Sequence, residues 1–173
     1  MNTIIVGTNR PNSFSLKVAN FYQKELAKKG LETNLFNLQD LPDNFIANDL
    51  YGKKSAEFEK IQLMVTQTDK FLFIIPEYNG SYPGVLKAFI DACVFPESFY
   101  NKKACLTGIS SGRYGNIRGV EHFNGVCAYL HLNVMPLRIH ISQIKQELNE
   151  NGDFYKEDTL KFVNEQMDKF VSY

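Results

Sequence analysis

The chain has 173 residues, 44% of them hydrophobic and 22% charged, with Lys+Arg and Asp+Glu balanced at 19 each. That composition belongs to a globular protein long enough to bury a core without disulfides or a structural metal. Zero net charge speaks against a dedicated nucleic-acid binder, and no run reaches the roughly 18 apolar residues that would span a bilayer.

Short apolar runs alternate with stretches of helical period. Thr3–Val6 is followed by Ser15–Lys29, which sets Val18, Ala19, Tyr22 and Leu26 on one face. Thr33–Phe36 leads into an irregular excursion, Leu38–Lys54, and then into Ser55–Thr68, with Phe58, Ile61 and Val65 in helical register. Phe71–Ile75 has no polar interruption, as expected of a strand buried on both faces. Gly84–Cys93 is a shorter helix candidate. Ala104–Thr107 precedes the helical pattern of Gly119–Leu132, and Asn133–Met135 follows it. A second excursion, Arg138–Asp153, ends in a turn-like Asn149–Asp153 and leads to Lys156–Val171, an amphipathic surface helix. Five strand–helix units in this length predict one domain over residues 1–173, with a parallel sheet and helices on both faces.

Cysteine and histidine point to no metal. Cys93, Cys105 and Cys127 form no CxxC, which suits a reduced cytoplasmic protein, with Cys105 and Cys127 as buried thiols. His122, His131 and His140 share no local ligand partner. Met1–Arg10 lacks the charged and apolar regions of a signal peptide.

Ligands of open parallel sheets bind beyond the carboxyl ends of the strands, so chemistry is expected in three loops. Gly7–Ser15 offers hydroxyls on Thr8, Ser13 and Ser15, amides on Asn9 and Asn12, and one cation, Arg10, just before a helix. Such a set suits a phosphate, without being a Walker or GxGxxG loop. A polar turn with a serine N-cap is the simpler alternative. Pro76–Gly84 carries Tyr78 and Tyr82, which could stack on a planar ring, and Asn79, which could reach its heteroatoms. An ordinary loop capping the next helix is the alternative. Ser110–Gly119 holds three glycines, Arg113, Arg118 and Tyr114, a mobile basic rim suited to closing over a ring or capturing a second anion.

GTNRPNSFSLKVA resembles the phosphate loop of the NADPH-dependent FMN reductase family. PEYNGSYPGVLKAFID resembles that family's flavin-ring signature, and SSGRYGNIRG its third, glycine-rich loop. The resemblance runs from Thr3 to about Met135. It implies a flavodoxin-like three-layer sandwich with a five-stranded parallel sheet, bound FMN, and NADPH or NADH as co-substrate. The acceptor would be a quinone, free flavin, azo compound or metal oxyanion, and the assembly a homodimer or homotetramer without nucleic-acid or membrane partners. Carried onto this sequence, Thr8, Arg10, Ser13 and Ser15 would hold the phosphate. Pro76, Glu77, Tyr78, Asn79 and Gly80 would border the ring, and Ser110, Ser111 and Gly112 its other edge. Tyr82, Arg113, Tyr114 and Arg118 are the expected substrate contacts, the arginines for the 2′-phosphate of NADPH. Thr8 stands where serine is usual, Ala88 where asparagine is common, and Ala92 where an aromatic is common; Gly115-Asn116 interrupts the usual paired glycines.

The implied chemistry is hydride transfer through flavin with ping-pong kinetics and no required acid–base side chain. Two alternatives stay open. One is a flavodoxin-type electron carrier, although the T-x-T-G-x-T loop of such carriers is missing. The other is a flavin-binding regulatory protein without NAD(P)H turnover. A receiver-type phosphoacceptor is excluded because Pro76 occupies the place of its aspartate.

Overall fold

A computed structural model describes residues 1–173. The strands are β1 (Asn2–Val6), β2 (Asn34–Asn37), β3 (Lys70–Pro76), β4 (Lys103–Ile109), β5 (Asn133–Val134) and β6 (Ile139–Ile141). The helices are α1 (Phe14–Lys28), α2 (Phe45–Asn48), α3 (Ala56–Gln67), α4 (Gly84–Ala92), α5 (Ile117–Tyr129) and α6 (Glu157–Ser172). All strand pairs are parallel, in the order β2-β1-β3-β4-β5, with β6 also on β4. This is the flavodoxin-like order, and its reversal falls between β1 and β3. No helix is long and apolar enough to cross a membrane.

Strand alternation divides the core into two layers. Ile4, Val6, Leu72, Ile74 and Cys105 face α1 and α6, where they meet Val18, Tyr22, Leu26, Val163, Met167 and Phe170. Ile5, Phe71, Phe73, Ile75, Ala104 and Leu106 face α3, α4 and α5, where they meet Phe58, Val65, Leu86, Phe89, Val120 and Phe123. Each helix presents one apolar stripe, and the sheet is covered on both sides. Ser13 and Ser55 cap α1 and α3, accepting the N–H groups of Leu16 (3.1 Å) and Phe58 (3.2 Å). Cys105 and Cys127 are buried as expected, and burial pushes both thiols up, Cys127 to about 12.

The structure corrects both excursions. In residues 38–54, Leu38 and Phe45 are buried, Phe45 stacks on Phe58 at 5.5 Å, and the buried Asp49 carboxylate accepts the Ser55 N–H. Residues 138–153 contain β6 and bury Ile139, Ile141, Ile144 and Leu148. β5 and β6 are one strand position, broken in the middle. Ala104 pairs with Val134 and Thr107 with Ile139, so three steps along β4 span five on the outer strand. Pro136, which lacks an N–H, lies in that bulge.

Gln166 of α6 closes the gap. Its amide donates to Leu106 O (3.1 Å) and Leu137 O (3.2 Å), while its Oε1 accepts the hydroxyls of Tyr22 (2.7 Å) and Thr107 (2.8 Å). The side chain is fully buried. Gln166→Leu removes every one of these bonds and leaves buried polar atoms behind. The expected loss of stability is roughly 3 kcal/mol, read from the urea midpoint at unchanged m value. An unshifted midpoint would show that the bulge does not depend on this amide.

Candidate active site

β1, β3 and β4 end at one edge of the sheet, and each runs into one of the three loops. Gly7 N–H donates to Ile74 O at 2.9 Å, and a Cβ on Gly7 would stand 2.9 Å from that same oxygen. Only glycine lets the first loop leave β1 this close to β3. Thr8 N–H then bonds back to Val6 O (2.8 Å), and Asn12 takes a left-handed φ of 53°. The turn delivers Ser13 to the cap position and places Ser15 in the first turn of α1. That turn contains no acidic residue, so the positive end of the helix dipole is uncompensated.

A cleft of about 330 Å³ opens at this edge. It is lined by Thr8, Arg10, Pro11, Asn12, Ser13, Phe14 and Ser15 from the first loop, and by Pro76, Glu77 and Tyr78 from the second. Ile109 at the end of β4 and Ser110 and Ser111 from the third loop complete it with Ile144 and Lys145, which follow β6. Ser15 is 1% exposed, yet its hydroxyl has no hydrogen-bond partner in the protein and borders the cleft. Arg10 and Lys145 are in no ion pair, and Glu77 is the one acid on the walls. A hydroxyl that faces the cleft without a protein partner, a helix N-terminus and two free cations fit a phosphate group.

Nine of the expected flavin contacts line this cleft: Thr8, Arg10, Ser13, Ser15, Pro76, Glu77, Tyr78, Ser110 and Ser111. Asn79 and Gly80 lie just outside it. They form a two-residue turn with φ of 51° and 76°, closed by reciprocal bonds between Tyr78 and Ser81 (2.9 and 3.0 Å). Asn-Gly is the sequence that such a turn demands. The N–H groups of Asn79 and Gly80 make no backbone hydrogen bond. Thr8 Oγ1 lies 2.7 Å from Tyr78 Oη and accepts the Arg10 N–H at 3.2 Å, tying the first loop to the second.

The third loop is pinned at its base. Ser110 Oγ donates to Gly112 O (3.0 Å) and accepts the Gly115 N–H (2.9 Å), while Gly112 O also accepts the Gln143 N–H (2.8 Å). A Cβ on Gly115, whose φ is +56°, would stand 2.5 Å from the His140 backbone. That glycine permits close packing instead of motion. Asn116 is buried and donates to Ile75 O at 2.9 Å, which joins the loop to the end of β3. Gly112, Arg113, Tyr114 and Arg118 remain on the exposed outer rim, with Tyr114 69% exposed. Glu121 pairs with Arg138 at 2.9 Å, so it neutralises neither rim arginine.

Tyr82, the expected substrate contact of this loop, does not line the cleft. Its ring packs edge-on against Phe123 at 5.4 Å, half-buried against the core layer that faces α3, α4 and α5. An aromatic two residues past the Asn-Gly tip returns to the sheet side because the turn reverses the chain. The sequence reading missed Ile144 and Lys145. They are brought to the cleft by Gln143 N–H to Gly112 O and Ile144 N–H to Ser110 O (3.0 Å), contacts between segments some thirty residues apart. The apolar Ile139, Ile141 and Ile144 were a signal that this stretch is buried, though not of its place in the sheet.

Comparison with known proteins identifies relatives of the whole chain. Residues 3–146 match the family described as NADPH-dependent FMN reductase. A 2-hydroxy-1,4-benzoquinone reductase of a Burkholderia species is 28% identical over 98% of this chain and 93% of its own. An NAD(P)H-dependent FMN reductase of Pseudomonas aeruginosa is 30% identical over 82% of this chain and 78% of its own. Among solved structures, a flavoenzyme NAD(P)H:(acceptor) oxidoreductase from Paracoccus denitrificans superposes with a TM-score of 0.83 at 26% identity, covering 99% of this chain and 95% of that one. The loops that frame the cleft lie within the matched span, and the chain belongs to the NADPH-dependent FMN reductase family.

Proposed function

We propose that the protein is a single-domain, cytoplasmic reductase that takes electrons from NADPH or NADH and delivers them to a small acceptor such as a quinone. The observation that carries this reading is the cleft at the α1 N-terminus, lined by Ser15, Arg10 and Lys145, with the Ser15 hydroxyl free of protein partners. FMN, when bound, supplies the two-electron chemistry that links donor to acceptor. Ser13, Ser15 and Arg10 hold the phosphate, with Lys145 adding a second charge. Pro76, Glu77, Tyr78 and the free N–H groups of Asn79 and Gly80 border the ring on one side, and Ser110, Ser111 and Gly112 on the other. Quinone and azo acceptors are suggested by the names of relatives, including an FMN-dependent NADPH-azoreductase of Staphylococcus aureus at 26% identity over 90% of this chain. One open face serving donor and acceptor in turn gives ping-pong kinetics. With FMN-loaded protein, NADPH and 1,4-benzoquinone, double-reciprocal plots should be parallel. Intersecting lines would refute alternation at one face, and absence of NADPH oxidation would favour an electron carrier or regulatory protein.

Arg113, Arg118 and Tyr114 form the rim that meets the donor. A Cβ on Gly80 would lie 4.0 Å from Arg118 Nη1, which sets this guanidinium over the Asn-Gly turn. Guanidinium groups without carboxylate partners suit the 2′-phosphate of NADPH, with Tyr114 against the adenine. Arg113→Ala or Arg118→Ala should lower kcat/KM for NADPH about tenfold or more while sparing NADH, as expected for a charge-assisted bond. Equal losses with both donors would place the specificity elsewhere.

The homodimer reading rests on an apolar groove of about 700 Å³ between α4 and α5, lined in part by Ile90, Val94, Phe95, Val126 and Tyr129. Val94 and Phe95 are 45% and 58% exposed, and Tyr129 is 81% exposed. An exposed apolar patch of this kind suits a two-fold axis, which would cover it with the same surface of a second copy. Light scattering at micromolar concentration should give at least twice the 19.8 kDa of one chain. The mass of one chain would contradict a dimer.

A further inference from the structure

We propose that Tyr78, a residue of the ring-side loop, strengthens binding of the FMN phosphate by acting through Thr8, which makes it a positioning residue for the phosphate as well as a neighbour of the ring. The inference rests on the reading of the cleft as an FMN site. Thr8 is 1% exposed and has one hydroxyl proton and two lone pairs. One lone pair accepts the Arg10 N–H at 3.2 Å. Tyr78 Oη lies 2.7 Å away on the other side. A phenol is more acidic than an aliphatic hydroxyl, so the better donor of this pair is Tyr78 and the better acceptor is Thr8. With both lone pairs engaged, the one capacity left to Thr8 is to donate its proton. Thr8 lines the cleft beside Ser13 and Ser15, so an anion there is the acceptor that completes its bonding. Two donors into one oxygen polarise its O–H and strengthen the bond it makes onward.

This arrangement makes the phenol's contribution depend on the ligand's phosphate. It also explains how threonine serves at a position where Cβ branching restricts the hydroxyl: the rotamer is held by Tyr78.

The test compares FMN with riboflavin, which lacks the phosphate, by quenching of flavin fluorescence. Tyr78→Phe should weaken FMN about 3- to 10-fold, the range of one ordinary hydrogen bond, and riboflavin less than about twofold. Thr8→Val should weaken FMN at least as much. The double variant should be no worse than Thr8→Val, because the phenol then has no hydroxyl to act through. Thr8→Ser, which restores the hydroxyl, should recover most of the affinity and shows that loss in Thr8→Val is not misfolding; urea midpoints of all four variants check this independently. Equal losses of FMN and riboflavin in Tyr78→Phe, or additive losses in the double variant, would overturn the proposal. Equal affinity of the unmodified protein for the two flavins would instead overturn the phosphate reading on which it rests.

Discussion

Three parallel strands buried on both faces end within a residue or two of one another, and the site follows from that register. Val6 of β1 pairs with Ile74 of β3, and Pro76 at the end of β3 pairs with Ile109 at the end of β4. The loops after these strands therefore begin side by side. The Gly7–Ile74 bond fixes the first loop against β3, and the Glu77 N–H to Ile109 O bond (3.0 Å) carries the ladder into the second. Thr8 and Tyr78, seventy residues apart in the chain, can then share a hydrogen bond. The apolar layers on either face hold the strands in this register, because a slip of one residue would turn Ile4, Val6, Leu72 and Ile74 into the wrong layer.

The same edge shows how α1 becomes useful. Its first N–H groups have no intrahelical partners, and Ser13 satisfies only one of them, that of Leu16. The Ser15 hydroxyl faces the cleft without a protein partner. A phosphate bound there would accept from it and from the free N–H groups, which couples FMN binding to stability through the same atoms. The outer strand completes the site by a less direct route. Its bulge at Pro136 is tolerated because Gln166 reaches in from α6, and beyond the bulge β6 resumes on β4 and carries Ile144 and Lys145 to the cleft.

What could be read from the sequence was local. Phe71–Ile75 is continuous and apolar, so its burial on both faces was legible, as was the amphipathic face of α6. The three loops were legible because each follows an apolar run and gathers polar groups where a buried chain would otherwise avoid them. What escaped depended on contacts between distant segments. The Ile-His-Ile of β6 is too short to announce a strand next to Pro136, and its partner is chosen by β4. Phe45 gave no periodic signal, since its place is set by stacking on Phe58. Composition read the third loop's glycines as flexibility, whereas Gly115 is needed because His140 packs where its side chain would stand. Tyr82 shared the chemistry of Tyr78, and only the direction of the Asn79-Gly80 turn separated their places, Tyr78 on the cleft wall and Tyr82 against Phe123.

The central proposal is that the N-terminus of α1, with Ser13, Ser15 and Arg10, holds the phosphate of FMN. Diffraction from crystals of the protein grown with FMN tests it most directly. The predicted electron density has the phosphate against the first turn of α1, within hydrogen-bonding reach of the Ser15 hydroxyl, with the ring between the Tyr78–Gly80 turn and the Ser110–Gly112 loop. Flavin bound with its phosphate in solvent, or seated in the α4–α5 groove, would contradict it.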